Sequence, residues 1–299
     1  MTTNNGLLLV DKPQGLTSHD VVARVRRILH EKKVGHAGTL DPMATGLLIL
    51  AVGPSTRLLR FAQSETKHYA GAVKFGVATD SLDADGAVVD VQPVPELGDA
   101  RVNAVATQML GRQLQTPPMV SALKVDGQRL HELARRGVEV ERAPREITVT
   151  SFSLSATDDV AVWRFDVHCS VGTYVRVLLS DLAERLGTIG HLVELRRLAS
   201  GAHSVEDALS IEALATAVEE GREVLASPAK FVTALEHATL SDDQIRAVRM
   251  GQRVSIASDA TGEIAALDGE GELVGILVRR GETWKPELVL SMPDESARG

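Results

Sequence analysis

Seven residues from Gly46 to Val52 (GLLILAV) are almost purely apolar, and they follow a polar stretch, VGHAGTLDPMAT. An apolar run of that length, bounded by turn residues, reads as a strand buried inside a sheet. Asp41 stands at its entrance. A residue before proline is pushed out of the helical region into an extended conformation, and Gly35 and Gly38 permit a tight approach of the chain. A carboxylate held in that way can serve as a general base or a covalent nucleophile. Asp-Pro is equally a common turn dipeptide, and the spacing alone leaves both readings open. His36 is open in the same sense, as a catalytic group, a metal ligand, a platform for a base or a plain loop residue.

The remaining chain supplies elements of both types. Gly6 to Val10 reads as a strand ended by Asp11-Lys12-Pro13. Ser18 is placed to cap a helix over about 19–32, with Val21, Val22, Val25, Ile28 and Leu29 on one face. Alternation predicts strands from Lys67, over Ile147 to Leu154 and over Val160 to Val167. A helix fits 99–111, and another follows the Asp-Gly turn at 126–127 and ends at Gly137. CSVGTYVRVLLSDLAERLG carries a strand, with Tyr174 and Arg176 on it, into a helix stopped by Gly187. Strands and helices interleave without a strict βαβ repeat, which favours a mixed α+β sheet. Residues 206–225 form an acidic helical region. Beyond Ser227-Pro228 a short helix at 241–250 and several glycine-punctuated strands suit a small β-rich barrel. The expected division is 1–228 and 229–299.

The net charge of −8 argues against a polyanion partner only if it is evenly spread, and it is not. Residues 1–76 hold ten Lys/Arg against five Asp/Glu, whereas 201–299 hold nine against eighteen. Because salt screens distant charge, a basic N-terminal part leaves room for a local nucleic-acid site. A solvated helix face is the plainer account of the same charges. Cys169 is the single cysteine, so no internal disulfide forms, which suits a reducing compartment. The N-terminus lacks a basic region followed by a long apolar run, and no stretch approaches a membrane span of roughly 18–20 apolar residues. These features predict a cytoplasmic protein.

Several chemistries are disfavoured by motif. The nine histidines form no H-E-x-x-H or Cys/His cluster, which argues against zinc. DSLDADG (80–86) has acid spacing like a calcium loop but lacks the glutamate an EF-hand needs. No GxxxxGK[ST] is present. Tyr69 and Tyr174, the only tyrosines, each sit beside basic residues and read either as core aromatics or as base-stacking platforms. Arg176 in an apolar segment needs a carboxylate partner, for which Asp41 and Asp181 are both available. Arg196-Arg197 and Arg135-Arg136 read as phosphate contacts or solvated side chains.

LLLVDKPQGLTSHDVV, VGHAGTLDPMATGLLILAVG, KHYAGAVKFG, CSVGTYVRVLLSDLAERLG and LRRLASG, in that order, resemble the TruB-type bacterial tRNA pseudouridine synthases over about residues 6–201. MGQRVSIASDATGEIAALDGEGELVGIL resembles the small PUA-like RNA-binding domain that follows in that family. The resemblance implies a mixed, mainly antiparallel sheet flanked by helices and a second small β-rich domain. It implies isomerisation of uridine to pseudouridine at position 55 in the T-loop of tRNA, by base flipping, with no metal, nucleotide or redox cofactor. Asp41 is then the expected nucleophile, Tyr69 stacks on the uracil and is a candidate to take the proton from its C5, and Arg176 pairs with Asp41. Tyr174 and Leu195 wall the base pocket, His36 fills the space left in the RNA, and Lys12 supports the loop at the substrate site. Basic groups near 24–33 and at 196–197 would hold phosphates, and Arg279-Arg280 would supply a C-terminal contact. A monomer is expected, with tRNA as its partner and no membrane. Two alternatives stand beside this: a tRNA-binding folding chaperone, and the same chemistry on another RNA.

Overall fold

The computed structural model describes residues 4–62, 66–120, 124–125, 128–129, 138 and 140–290. The main sheet contains β1 (Gly6–Lys12), β2 (Val34–Ala37), β3 (Thr45–Val52) and β4 (Thr66–Phe75). Two short strands outside it, β5 (Val77–Thr79) and β6 (Val88–Val91), pair with each other. The sheet continues with β7 (Gly111–Gln115), after which β8 (Lys124–Val125) and β9 (Gln128–Arg129) form a separate ladder. It is completed by β10 (Arg145–Ala156), β11 (Val162–Ser170), β12 (Gly190–Ser200) and β13 (His203–Ser204). The strand order is β1-β3-β12-β4-β11-β10-β7, with β2 added on β3 and β13 on β12. All of its pairings are antiparallel except β12 with β3, where Arg196 faces Thr45 and Arg197 faces Gly46. The mixed, mainly antiparallel sheet is therefore as expected.

Among the described residues five α-helices flank the strands: α1 (Ser18–Ile28), α2 (Asp99–Gln108), α3 (Val175–Arg185), α4 (Ile211–Glu219) and α5 (Asp242–Arg249). The apolar run of β3 is continuous because both its faces are covered. Leu48, Leu50 and Val52 pack on Val21 and Val25 of α1 and on Ile211 and Leu214 of α4. Leu47, Ile49 and Ala51 pack on Phe231, Ala265, Leu273 and Ile276 from the C-terminal part. Next along the sheet, Tyr69, Val73 and Phe75 of β4 join Phe165 and Val167 of β11 and the apolar faces of α2 and α3. The reverse face of β4 and β11 carries His68, Asp166 and His168, which are partly or fully exposed.

The C-terminal part is a four-stranded sheet of β14 (Glu236–Thr239), β15 (Glu263–Leu267), β16 (Leu273–Arg280) and β17 (Thr283–Val289) in that order. Among the described residues β14 and β17 do not pair, so the expected barrel is an open sheet. No helix of the described residues is long and apolar enough to cross a membrane.

Other expectations shift locally. Val34–Ala37 is a strand, so only 38–44 form the turn before β3. Thr17, not Ser18, caps α1, in a capping box with Asp20; the Ser18 hydroxyl is engaged elsewhere. The helix stops at Ile28, and His30 adopts a left-handed φ of 50°. Arg176 lies in the first turn of α3 and Tyr174 is its N-cap residue, because the chain leaves β11 at Ser170 and turns through Gly172, whose φ is +86°. The helix expected up to Gly137, and Arg135-Arg136, lie outside the described residues.

Candidate active site

The β2–β3 turn is fixed from several directions. Leu40 donates its N–H to the Ser18 hydroxyl at 2.9 Å and receives that hydroxyl's proton at its carbonyl, 3.2 Å away. On the other side of Asp41, the Pro42 carbonyl accepts from the Gly15 N–H at 2.8 Å and from Lys12 Nζ at 3.2 Å. Lys12 is fully buried and donates also to the carbonyls of Pro13 and Leu16, at 3.0 and 2.6 Å. Burial pushes its amine down to about 8, partly countered by Asp41. Three accepting carbonyls absorb its donors, so Lys12 locks two loops together and has none left for a ligand.

Arg197 braces the same turn from β12. It is 1% exposed, and donates from Nε to the Leu47 carbonyl at 2.7 Å and from Nη2 to the Gly38 carbonyl at 3.0 Å. The expectation that Arg197 contacts phosphate from the surface is thereby corrected: its guanidinium is buried and donates through Nε and Nη2 to backbone inside the molecule. Arg196, on the opposite face, is half-buried and bound in a fork to Asp11 at 2.9 and 2.7 Å. The approach of β12 to β3 requires Gly46. With φ of +97°, a Cβ there would lie 2.3 Å from the Arg197 carbonyl oxygen.

A cleft of about 290 Å³ opens above the turn, lined by Thr39, Leu40, Asp41, Lys67, Tyr69, Leu195 and residues 172–176. Arg176 Nη2 stands 3.0 Å from Asp41 Oδ2, and Nη1 stands 3.2 Å from Asp83 Oδ2. The guanidinium, 3% exposed, also donates to the carbonyls of Ser81 at 2.7 Å and Val120 at 2.9 Å. Asp83 is itself buried and held by the Ser81 hydroxyl at 2.5 Å. Asp41 keeps 37% of its side chain accessible. Withdrawal from water raises its carboxyl above the usual range, Asp83 adds to this, and Arg176 pulls it back.

The sequence-predicted residues divide cleanly in space. Asp41, Tyr69, Tyr174, Arg176 and Leu195 share the cleft, whereas Lys12 lies beneath the turn and His36 is not among the lining residues. Tyr69 is 6% exposed, and burial raises its phenol above the usual range, so the ring enters the cleft as a neutral hydroxyl. Gln115 grips the backbone of Tyr174 on both N–H and carbonyl, at 2.8 and 3.1 Å, and so sets the start of α3. His36 is half-buried beside His19, ring centroids 5.3 Å apart and edge to face, with Nδ1 lacking a partner. Burial lowers its pKa, which keeps the imidazole neutral. Arg279 donates to the carbonyls of Ser258 and Ala260, so it is engaged with the loop that leads into β15.

Two participants were not foreseen. Asp83, not Asp181, is the second carboxylate on Arg176; it comes from the DSLDADG loop, whose spacing carries no hint of a partner 93 positions later. Lys67 enters the cleft two residues before Tyr69, on the same strand face, and burial lowers its amine to about 8, assisted by Arg197. Its position was readable from period-two alternation with Tyr69.

Residues 26–175 match the TruB family pseudouridylate synthase (N terminal domain), and 176–239 the tRNA pseudouridylate synthase B C-terminal domain. The chain is 41% identical to the tRNA pseudouridine synthase B of Streptococcus sanguinis, over 95% of this chain and 99% of that one. With the enzyme of the same name from Opitutus terrae it shares 50% identity over 70% of this chain and 87% of the other. Among solved structures, an H/ACA RNP bound to a substrate RNA containing 2′-deoxyuridine includes a chain of similar fold. Its TM-score is 0.74 at 22% identity, covering 97% of this chain and 86% of that one. A chain of a Cbf5-Nop10-Gar1 complex gives 0.72 at 23%, over 96% and 84%. At those identities the likeness bears on the fold alone. The sequence matches and the fold agree, and the chain belongs to the TruB family of tRNA pseudouridine synthases, which are isomerases.

Proposed function

We propose that this enzyme converts uridine to pseudouridine at position 55, in the T-loop of tRNA, with Asp41 as nucleophile. The observation that carries this reading is the Asp41–Arg176 pair at the mouth of a cleft walled by Tyr69 and Leu195. The reaction breaks the bond from C1′ to N1, turns the uracil, joins C1′ to C5, and moves one proton in balance: C5 gives one up and N1 takes one. No atom is gained or lost, so positioning is the main task. A base in a folded loop has to be extruded to meet a recessed carboxylate, at about a few kcal/mol. Stacking on Tyr69 returns about 1–3 kcal/mol of that. Arg176 holds Asp41 ionised and aimed, and Asp83 fixes Arg176 in turn. Tyr174 and Leu195 wall the base, neutral His36 takes the flipped base's place in the RNA, and Lys12 keeps the turn rigid.

The raised pKa of the Tyr69 phenol supports a stacking role more than proton abstraction. We further propose a catalytic part over 1–228 and a PUA-like RNA-binding part over 229–299, working as a monomer in the cytoplasm. The test is carbodiimide-derivative mapping of a T-stem-loop transcript beside unrelated hairpins. Modification confined to position 55, and lost in Asp41→Ala with RNA binding retained, is expected. Modification by Asp41→Ala, or equal turnover of the other hairpins, defeats the assignment.

A further inference from the structure

The reverse face of the main sheet holds three side chains whose donor atoms converge. His68 on β4 and His168 on β11 are directly opposed cross-strand partners, and Asp166 lies two residues before His168 on the same face. The two imidazoles are stacked, centroids 3.9 Å apart and planes 16° from parallel. Both turn Nε2 toward one carboxylate: His68 Nε2 is 2.7 Å from Asp166 Oδ2, and His168 Nε2 is 3.9 Å from Oδ1. One donor atom from each of the three lies within 4.8 Å of the others.

A hydrogen bond accounts for His68 and Asp166. It leaves His168 unexplained, since 3.9 Å is beyond hydrogen-bonding reach. We propose that His68, Asp166 and His168 form a binding site for a divalent cation of the zinc class, on the sheet face opposite the cleft. Two imidazoles and one carboxylate are a donor set suited to zinc and its neighbours. Bonds of about 2.0–2.1 Å in a tetrahedron place ligand atoms roughly 3.3 Å apart. The observed nitrogen–oxygen separations, 2.7 and 3.9 Å, bracket that length, and the two stacked rings have to tilt for both lone pairs to meet one ion. The ladder holds His68 and His168 directly opposite each other.

Space and access favour the same reading. The residue opposite Asp166 on β4 is Ala70, whose methyl leaves the neighbourhood of the carboxylate open. All three side chains keep between 24% and 46% of their surface exposed, so solvent can complete the coordination. Cys169, next in the chain, points into the core on the other side of the strand and is not available as a ligand. The trio escapes any search for short ligand spacing because its histidines are 100 positions apart.

The experiment is isothermal titration of the chelator-treated full chain with Zn²⁺, on the wild type, His168→Ala and Asp166→Asn. Circular dichroism establishes that each variant is folded, and His168→Gln replaces His168→Ala if that variant is not. One equivalent bound by the wild type is expected, weakened at least about tenfold in each variant, since losing a ligand costs no less than losing a group that orients one. No binding by the wild type, or equal binding by wild type and variants, overturns the site and leaves a hydrogen-bonded pair with a stacked neighbour.

Discussion

β3 and β4 lie on either side of β12 in one sheet, yet they are dressed differently. β3 is covered on both faces, by α1 and α4 on one and by the C-terminal sheet on the other, so it tolerates no polar side chain after Thr45. β4 is covered on one face only, and alternates: Lys67 and Tyr69 toward the cleft, His68 toward solvent. The contrast separates two jobs. The doubly covered strand supplies rigidity, and the reactive carboxylate stands on the turn at its end. The singly covered strand supplies the groups that meet the base.

That contrast can be tested at both ends. The largest effect is expected for Asp41→Ala, a loss of pseudouridine formation on the order of 10⁴-fold or more, measured as single-turnover rate on a tRNA transcript. If the turn serves only as structure, the rate follows stability and nothing more. Arg176→Met leaves two carboxylates facing each other without their shared cation. Denaturant unfolding should show a loss of about 3–5 kcal/mol, the usual cost of orphaning one side of a buried ion pair. Leu48→Ala, in the middle of β3, should cost about 2–5 kcal/mol. Lys74→Ala, on the open face of β4, should stay within about 0.5 kcal/mol. Equal effects at the two positions would erase the distinction between the strands.

The pH profile gives a finer test. The Asp41 carboxyl is raised, so its ionised form appears only above the ordinary carboxylate range, and activity should fall away at a correspondingly higher pH on the acid side. Lys67 titrates about 8, so its positive charge is lost as pH rises through that value. tRNA affinity should weaken from pH 7 to 9 by at most about tenfold, since one pH unit above a pKa leaves a tenth of the charge. Lys67→Met should bind more weakly at pH 7 and lose that slope. A slope retained in the variant would move the effect to another group.

What could be read in advance follows from the range of the interactions. The β3 run, the α1 face at Val21, Val22, Val25 and Leu29, and the β10–β11 pair are local patterns, and they stand where period and polarity put them. Asp41, Tyr69 and Arg176 stand out only as an ordered set, because each segment by itself is ordinary. Arg197 was misplaced because a lone arginine beside another on a strand looks solvated; only the parallel contact at Gly46 carries it inside. Asp83 and the His68–His168 pair were invisible for a common reason. Their partners are remote in the chain, and no spacing rule reaches that far.

The strand order has a consequence for how the enzyme comes into being. β12 lies between β3 and β4 but is made more than a hundred residues after either. Until residues 190–200 insert, β3, with Asp41 on the turn before it, and β4, with Tyr69, have no shared neighbour to hold them side by side, and Gly38 and Leu47 lack Arg197. A chain still emerging from the ribosome, at the ordinary pace of about 5–20 residues per second, therefore passes many seconds with Asp41 and Tyr69 already made but no β12 to bring them into one pocket. The cleft is complete only once β12, which brings Leu195, has closed the sheet.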